Sequence, residues 1–354
     1  MRLKSYKKFL VCALALLMLV AFTACTPSDS TTTPSTESPD PPETAGNKTI
    51  KITDLAGREV EVPAEISSVA LTWNPIVTII TSLGKGELIA GIGTSTEFIS
   101  KAVPGYEKVV LIGRKPDLEL LAKLKPNLFI HKAGDMATLD AVSELGIAAI
   151  GINTEDREDL FNTTRLLGKL FGVEGRAEEV ISYYNEKIDL ADSLVKDLPE
   201  ESRKTAIVMG REIGTIAHGG MLQSSMIEMA GGISLAKDIE SKETWPVIGT
   251  EQIFKWNPDV IFLANSVLAD YTAEDLREDA DMARLNAVKN DQLFVIPIRL
   301  DSWDFPGIQS SLGVLWMLNQ MYPDIYSDDD FVKEVDAYYR IAFGKTFDRQ
   351  WLGY

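Results

Sequence analysis

Apolar residues follow three different rhythms along this chain. Residues 9–22 form one uncharged apolar run, residues 26–47 carry almost nothing apolar, and from residue 48 onward short apolar runs alternate with stretches of helical period. An opening hairpin is predicted at Thr49–Thr53 and Glu59–Val62, with Ile50, Ile52, Val60 and Val62 at period two and a turn around Gly57. Strands follow at Val69–Thr72, Leu88–Ile92, Val109–Ile112, Leu128–Ile130 and Ala148–Ile152. A second set lies at Thr205–Met209, Val260–Leu263 and Leu293–Pro297. Helical stretches separate most of these runs, which is the pattern of βαβ units in largely parallel sheets.

Between the two sets lies one long helical segment. From Arg176 to Leu198 there is no glycine or proline, and Val180, Ile181, Tyr184, Ile188, Ala191, Leu194 and Val195 keep three- and four-residue spacing. Gly175 precedes the segment and Pro199 ends it. At ~1.5 Å per residue it is a rod of about 30 Å, long enough to connect two lobes. An ordinary surface helix within one domain would show the same pattern. The roughly 300 residues after Lys48 exceed what one hydrophobic core usually serves, which favours two lobes.

The first 47 residues read as processing and tethering segments. Arg2, Lys4, Lys7 and Lys8 precede the apolar run, which is shorter than the ~20 residues a membrane span needs and has the length of a signal-peptide core. Thr23 and Ala24 then lead to Cys25. Small residues before a cysteine resemble the bacterial lipobox, here with Phe22 where leucine is usual. The resemblance implies lipidation of Cys25, the expected first residue of the mature chain; an ordinary secretory signal is the other reading. Cys12 and Cys25 are the only cysteines, so after cleavage one thiol remains and no disulfide can form. Thr26–Asn47, rich in Pro, Ser and Thr, cannot bury enough surface to offset its ordering entropy and reads as a solvated or glycosylated stalk. The formal charge of −17, more negative still without the four leading cations, argues against a nucleic-acid partner.

One unit occurs twice. Glu119-Leu-Leu-Ala-Lys-Leu-Lys-Pro126-Asn-Leu-Phe-Ile130 parallels Glu251-Gln-Ile-Phe-Lys-Trp-Asn-Pro258-Asp-Val-Ile-Phe262, each a short helix opened by glutamate, broken at proline and followed by a strand. Glutamate suits a first helical turn, and Asp117 and Thr250 read as N-caps, but capping alone does not require the unit in both halves. Together with the hairpin Thr53–Pro63 and the long connector, these units resemble the substrate-binding proteins of ABC importers for iron–siderophore complexes, heme and cobalamin. That is the class (class III) whose lobes are joined by a single helix. The resemblance covers Thr49 through the connector and continues through Trp245–Glu251 to about Pro297.

The fold expected is therefore α/β: two Rossmann-like lobes with mostly parallel sheets joined by one long α-helix. The divisions are a signal peptide at 1–24, lipidated cysteine and tether at 25–47, an N-terminal lobe at 48–174, the connecting helix at 175–199 and a C-terminal lobe at 200–354. The resemblance implies that Glu119 and Glu251 dock onto the permease dimer, which works with its ATPase. It also implies that the protein is an anchored monomer, that closure is small, and that the cargo is a metal chelate. A ferric siderophore ranks first, then a corrinoid, heme, or an oxyanion such as molybdate. No cofactor beyond that cargo is expected.

Ligands of open α/β sheets bind beyond the carboxyl ends of strands. The residues met there are Trp73 and Asn74, Arg114, His131 and Lys132, Arg211, and Arg299 with Trp303; the family resemblance adds Trp245. Four cations suit carboxylate or catecholate oxygens, and three indoles suit an organic scaffold. Each residue taken singly also fits a surface ion pair or a core position. Metal bound directly by side chains is not expected, since His131 and His218, the only histidines, fall in different lobes and no zinc-ligand spacing occurs. His218 reads as a loop residue that could touch ligand. An enzyme is not expected: there is no nucleophile elbow, phosphate loop or dinucleotide fingerprint, though a secreted hydrolase stays as the alternative from another class, and a ligand-binding sensor as a third.

Overall fold

Runs of Val, Ile, Leu and Ala build two separate parallel sheets. In the computed structural model, residues 48–243, 245–264, 269–299 and 301–346 are described, so Cys25, the leader and the tether lie outside the described residues. The antiparallel hairpin of β1 (Thr49–Thr53) and β2 (Glu59–Pro63) opens the fold. The first sheet holds β3 (Val69–Leu71), β4 (Ile89–Ile92), β5 (Val110–Leu111), β6 (Leu128–Lys132) and β7 (Ala148–Ile152), in the order β5-β4-β3-β6-β7. The second holds β8 (Thr205–Met209), β9 (Ile233–Ser234), β10 (Val260–Leu263) and β11 (Leu293–Val295), in the order β11-β10-β8-β9. All neighbours in both sheets are parallel. β9, only two residues long, has no apolar run to betray it in the sequence.

Parallel neighbours need crossovers. Helices α1 (Pro75–Ser82), α2 (Glu97–Ala102), α3 (Leu118–Leu124), α4 (Met136–Ser143) and α5 (Arg157–Leu170) serve the first half. The connector α6 (Glu174–Val195) follows. Then come α7 (Leu222–Met229), α8 (Thr250–Trp256), α9 (Ala273–Glu278), α10 (Asn286–Lys289), α11 (Ser310–Met321) and α12 (Asp328–Phe343). The repeated unit is visible as structure. Helices α3 and α8 both end on a non-glycine residue in the left-handed region, Lys125 at φ 47° and Asn257 at φ 45°, and a proline follows each. Asp117 caps α3 as expected. Thr250 is instead the first residue of α8, and Gly249 occupies the cap without a side-chain bond.

Both faces of each sheet are covered, so strand residues alternate between two cores. Leu128 and Ile130 join the large core while Phe129 joins a smaller one; Ala206 and Val208 join the large core while Ile207 and Met209 face another. The large core draws on both halves and on Val180, Tyr184, Ile188 and Val195 of α6. Helix α6 packs on α5 and α11. A Cβ at Gly168 of α5 would stand 2.6 Å from that of Ala177, so glycine sets the α5–α6 approach. The helix begins one residue before Gly175, which a first turn tolerates. Helix α12 packs on α1 as well as on α11, and its Tyr339 and Phe343 meet Phe98 edge-on at 5.8 and 5.0 Å.

One carboxylate ties the hairpin to the first sheet. Asp54, buried, accepts from the Gly151 N–H at 2.8 Å and from Arg58 Nε and Nη2 at 3.0 and 2.8 Å. Burial alone would raise its pKa, but these backbone and guanidinium donors outweigh it and hold the carboxyl below its ordinary value. A group so depressed adds stability that is complete above the unfolded pKa and is lost as pH falls through the native one. Arg58→Ala should therefore cost about 3 kcal/mol at pH 7 in urea unfolding, because it leaves a buried carboxylate without its cation. The cost should shrink as Asp54 protonates in acid. A penalty constant from pH 7 to strongly acid solution would refute this assignment.

Candidate ligand-binding cleft

Where parallel strand order reverses, successive crossovers depart in opposite directions and leave a crevice beyond the strand ends. In the first sheet this point lies between β3 and β6, and in the second between β8 and β10. A cavity of ≈ 420 Å³ touches both points. Trp73, just past β3, and Lys132, the last residue of β6, wall it from the first half. Arg211, just past β8, and Ala264, just past β10, wall it from the second. The volume lies in the range of about 300–1,000 Å³ usual for small-molecule sites.

Trp73 anchors the first wall. Its ring lies parallel to Phe305, 9° between planes and 6.1 Å between centroids, so the stack reaches from one half to the other. Its Nε1 donates to Thr154 Oγ1 at 3.3 Å. Lys132 Nζ sits 3.7 Å over the same ring and 3.2 Å from Glu155 Oε1. Opposite, Arg211 makes a loose pair with Asp270 at 3.5 Å. Trp245 lies against the chain at Gly210, where a Cβ would stand 2.5 Å from Cε3 of the indole, so only glycine leaves the ring its place. Met221 and Leu222 add apolar surface, and the buried Gln223 donates from Nε2 to the Asp304 carbonyl at 2.8 Å. Asp304 also lines the cavity, and burial pushes its carboxyl up to about 6. The neighbouring Asp301, pushed up to about 7 by burial against the opposing hydrogen bond from Thr78 Oγ1 (2.9 Å), links α1 to this loop. Such a wall can stack a flat organic group and bond its oxygens. Among the described residues no cluster of three or more His, Cys, Asp and Glu side chains is placed to hold a metal ion.

Comparison with known proteins decides the family. Residues 69–300 match the periplasmic binding protein family. The chain belongs to it. This binding protein is 23% identical over 327 residues to the molybdate-binding protein MolA of Haemophilus influenzae, covering 84% of this chain and 91% of that one. The molybdate-bound structure of MolA, the cognate binding protein of an ABC transporter, superposes with a TM-score of 0.73 at 18% identity, over 84% of this chain and 99% of that one. A periplasmic solute binding protein of Veillonella parvula gives 0.73 at 26% identity, over 86% and 96%. An ABC transporter solute binding protein of Sulfurospirillum deleyianum gives 0.70 at 20%, over 85% and 97%. The protein is thus an extracytoplasmic binding protein of the periplasmic type. Two lobes carrying parallel sheets are the fold of this group. Among the described residues no helix is long and apolar enough to cross a membrane.

Of the residues expected in this binding protein's site, the structure brings Trp73, Lys132, Arg211 and Trp245 to one cavity. The others lie elsewhere. Trp303 is fully buried, donating from Nε1 to Tyr339 OH at 3.1 Å and meeting Phe331 edge-on, which makes it a core residue. His131 is buried beneath the site, bonded to Thr72 and, at 2.9 Å, to Asp135, whose carboxyl that bond and the Thr138 donors lower to about 2. Asn74 accepts from Thr94 at 3.3 Å. Arg114 and Arg299 are exposed beyond the edge strands β5 and β11 and do not line the cavity, so the expected row of four cations becomes Lys132 and Arg211, each with a carboxylate partner. His218 is not on the wall; its Nδ1 accepts from the Gly220 N–H at 3.1 Å. Glu119 and Glu251 are exposed in the first turns of α3 and α8.

Several wall residues escaped the sequence reading. Glu155 stands three positions past β7, where a residue beyond a strand's carboxyl end is placed. Phe305 shares a loop with Trp303, and no pattern in Ser302–Pro306 tells which ring faces the core. Met221, Leu222 and Gln223 open α7, and only the folded loop before them brings them to the cleft.

Proposed function

We propose that this protein captures an organic metal chelate, a ferric siderophore before other ligands, and delivers it to its permease. The observation that carries the proposal is the aromatic and apolar cavity at the reversal points of both sheets, with one cation from each half. Trp73, Phe305, Trp245, Met221 and Leu222 offer surface that only an organic shell can use, and Lys132 and Arg211 match peripheral oxygens. Molybdate is the second reading, favoured by the likeness to MolA across 84% of the chain. An oxyanion of that size leaves the apolar surface unused, which ranks it lower. Glu119 and Glu251 act as docking groups, one per repeated unit, and a lipid on Cys25 keeps the protein at the membrane as a monomer.

Tryptophan fluorescence titrations with a ferric tris-catecholate, cyanocobalamin, hemin and sodium molybdate check the ligand class. Quenching by the ferric chelate is expected, weakened about ten-fold in Arg211→Ala, the loss of one charge-assisted bond. Arg114→Ala should leave it unchanged. Binding of molybdate without the chelate would reverse the order of the two readings. In cells, Glu119→Arg or Glu251→Arg should abolish uptake while the purified variants keep their affinity; normal uptake by both removes the docking role. Cys25→Ala should move the protein from the membrane fraction to the soluble one, and continued membrane association would exclude the anchor.

A further inference from the structure

The cleft has a partition. A second cavity of ≈ 350 Å³ adjoins the first, and Trp73, Lys132 and Glu155 line both. Its other walls mix apolar Ala133 and Ile152 with Gly134, Asp135, Asn153 and Thr154. Between them stand the Trp73 indole and the ion pair of Lys132 with Glu155, whose side chains are 42% and 63% exposed. Exposed pairs of this kind contribute little, so this one separates readily.

The two partners are held unequally. Lys132 ends a paired strand, and its ammonium lies over an indole that is itself tied to Thr154 and stacked on Phe305. Glu155 is exposed in the loop between β7 and α5 and reaches Lys132 from there. When the pair opens, the cation stays in the cleft and the carboxylate goes to water. An incoming oxygen anion finds in Lys132 a site already shaped for a carboxylate oxygen.

We propose that Glu155 is a displaceable placeholder: an anionic oxygen of the ligand replaces its carboxylate on Lys132, and the two cavities join. This rests on the reading of the cargo as an anionic organic chelate. It adds that the cargo is bulky, that it carries catecholate or carboxylate oxygens on its rim, and that one arm enters the second cavity. Arg211 and Asp270 provide the comparison, because their pair is also exposed but Asp270 lines neither cavity.

The test uses the whole protein and two probes, a trianionic ferric tris-catecholate and a neutral ferric trihydroxamate, with isothermal titration of wild type, Glu155→Gln and Asp270→Asn. Both variants lose one negative charge, so a general electrostatic gain appears in both. The expected result is that Glu155→Gln binds the anionic probe about three- to five-fold tighter than wild type, the cost of one exposed pair, and clearly tighter than Asp270→Asn. The neutral probe should show no such gain. Equal gains in the two variants, or weaker binding by Glu155→Gln, overturn the placeholder while leaving the chelate reading intact. Wild type that binds the neutral probe alone, or neither probe, overturns the anionic reading and the placeholder with it. Thermal melts of the three proteins guard against a folding artefact; a destabilised Glu155→Gln would count against the placeholder, since a readily separated pair leaves no room for that cost.

Discussion

One apolar core shared by both halves is the constraint on which the rest of this protein depends. Helix α6 runs through it, packed on α5 from the first half and α11 from the second, with Tyr184 buried at its centre and hydrogen bonded to Ser310 at 3.2 Å. Because the interior is packed at crystal-like density, neither sheet can turn far about α6 without opening voids. The Trp73–Phe305 stack and the Thr78–Asp301 bond cross between the halves beside the cavity. Binding of this kind spends little on ordering its own site.

The fold was legible because its strands are buried on both faces and stand out as short apolar runs. Its helices were legible through their spacing, and the repeat through the prolines that stop α3 and α8. The site was legible only in part, for a topological reason. Every strand has a carboxyl end, but which of the segments that follow turn into the crevice depends on strand order and on the path of each loop, and both are long-range properties. Trp73, Lys132 and Arg211 follow or end β3, β6 and β8 at the reversals of order. Arg114 and Arg299 follow strands at the sheet edges. Periodicity ranks all five alike.

Trp303 and Phe305 show a second limit. Two aromatic residues two positions apart in an irregular loop have no period to sort them, so the core took one and the cleft the other. The choice depends on Tyr339 and Phe331 of α12, which accept the indole, and on Trp73 of the first half, which stacks the phenyl ring. Both partners are remote in sequence. The acidic composition likewise hid the charge pattern of the site, where each cation keeps a carboxylate beside it.

The return of α12 to the first half has a consequence for how the chain reaches this state. Phe98 and α1 receive part of their cover from Tyr339 and Phe343, and Arg176 Nη2 bonds the Ile341 carbonyl at 2.6 Å. The first sheet therefore cannot complete its interior from its own residues. Contacts separated by more than two hundred positions cannot close until the C-terminal helix has been made. A chain in that condition stays open while it is being made. For a polypeptide that must be threaded across a membrane before it works, late closure keeps it in a form that can be threaded.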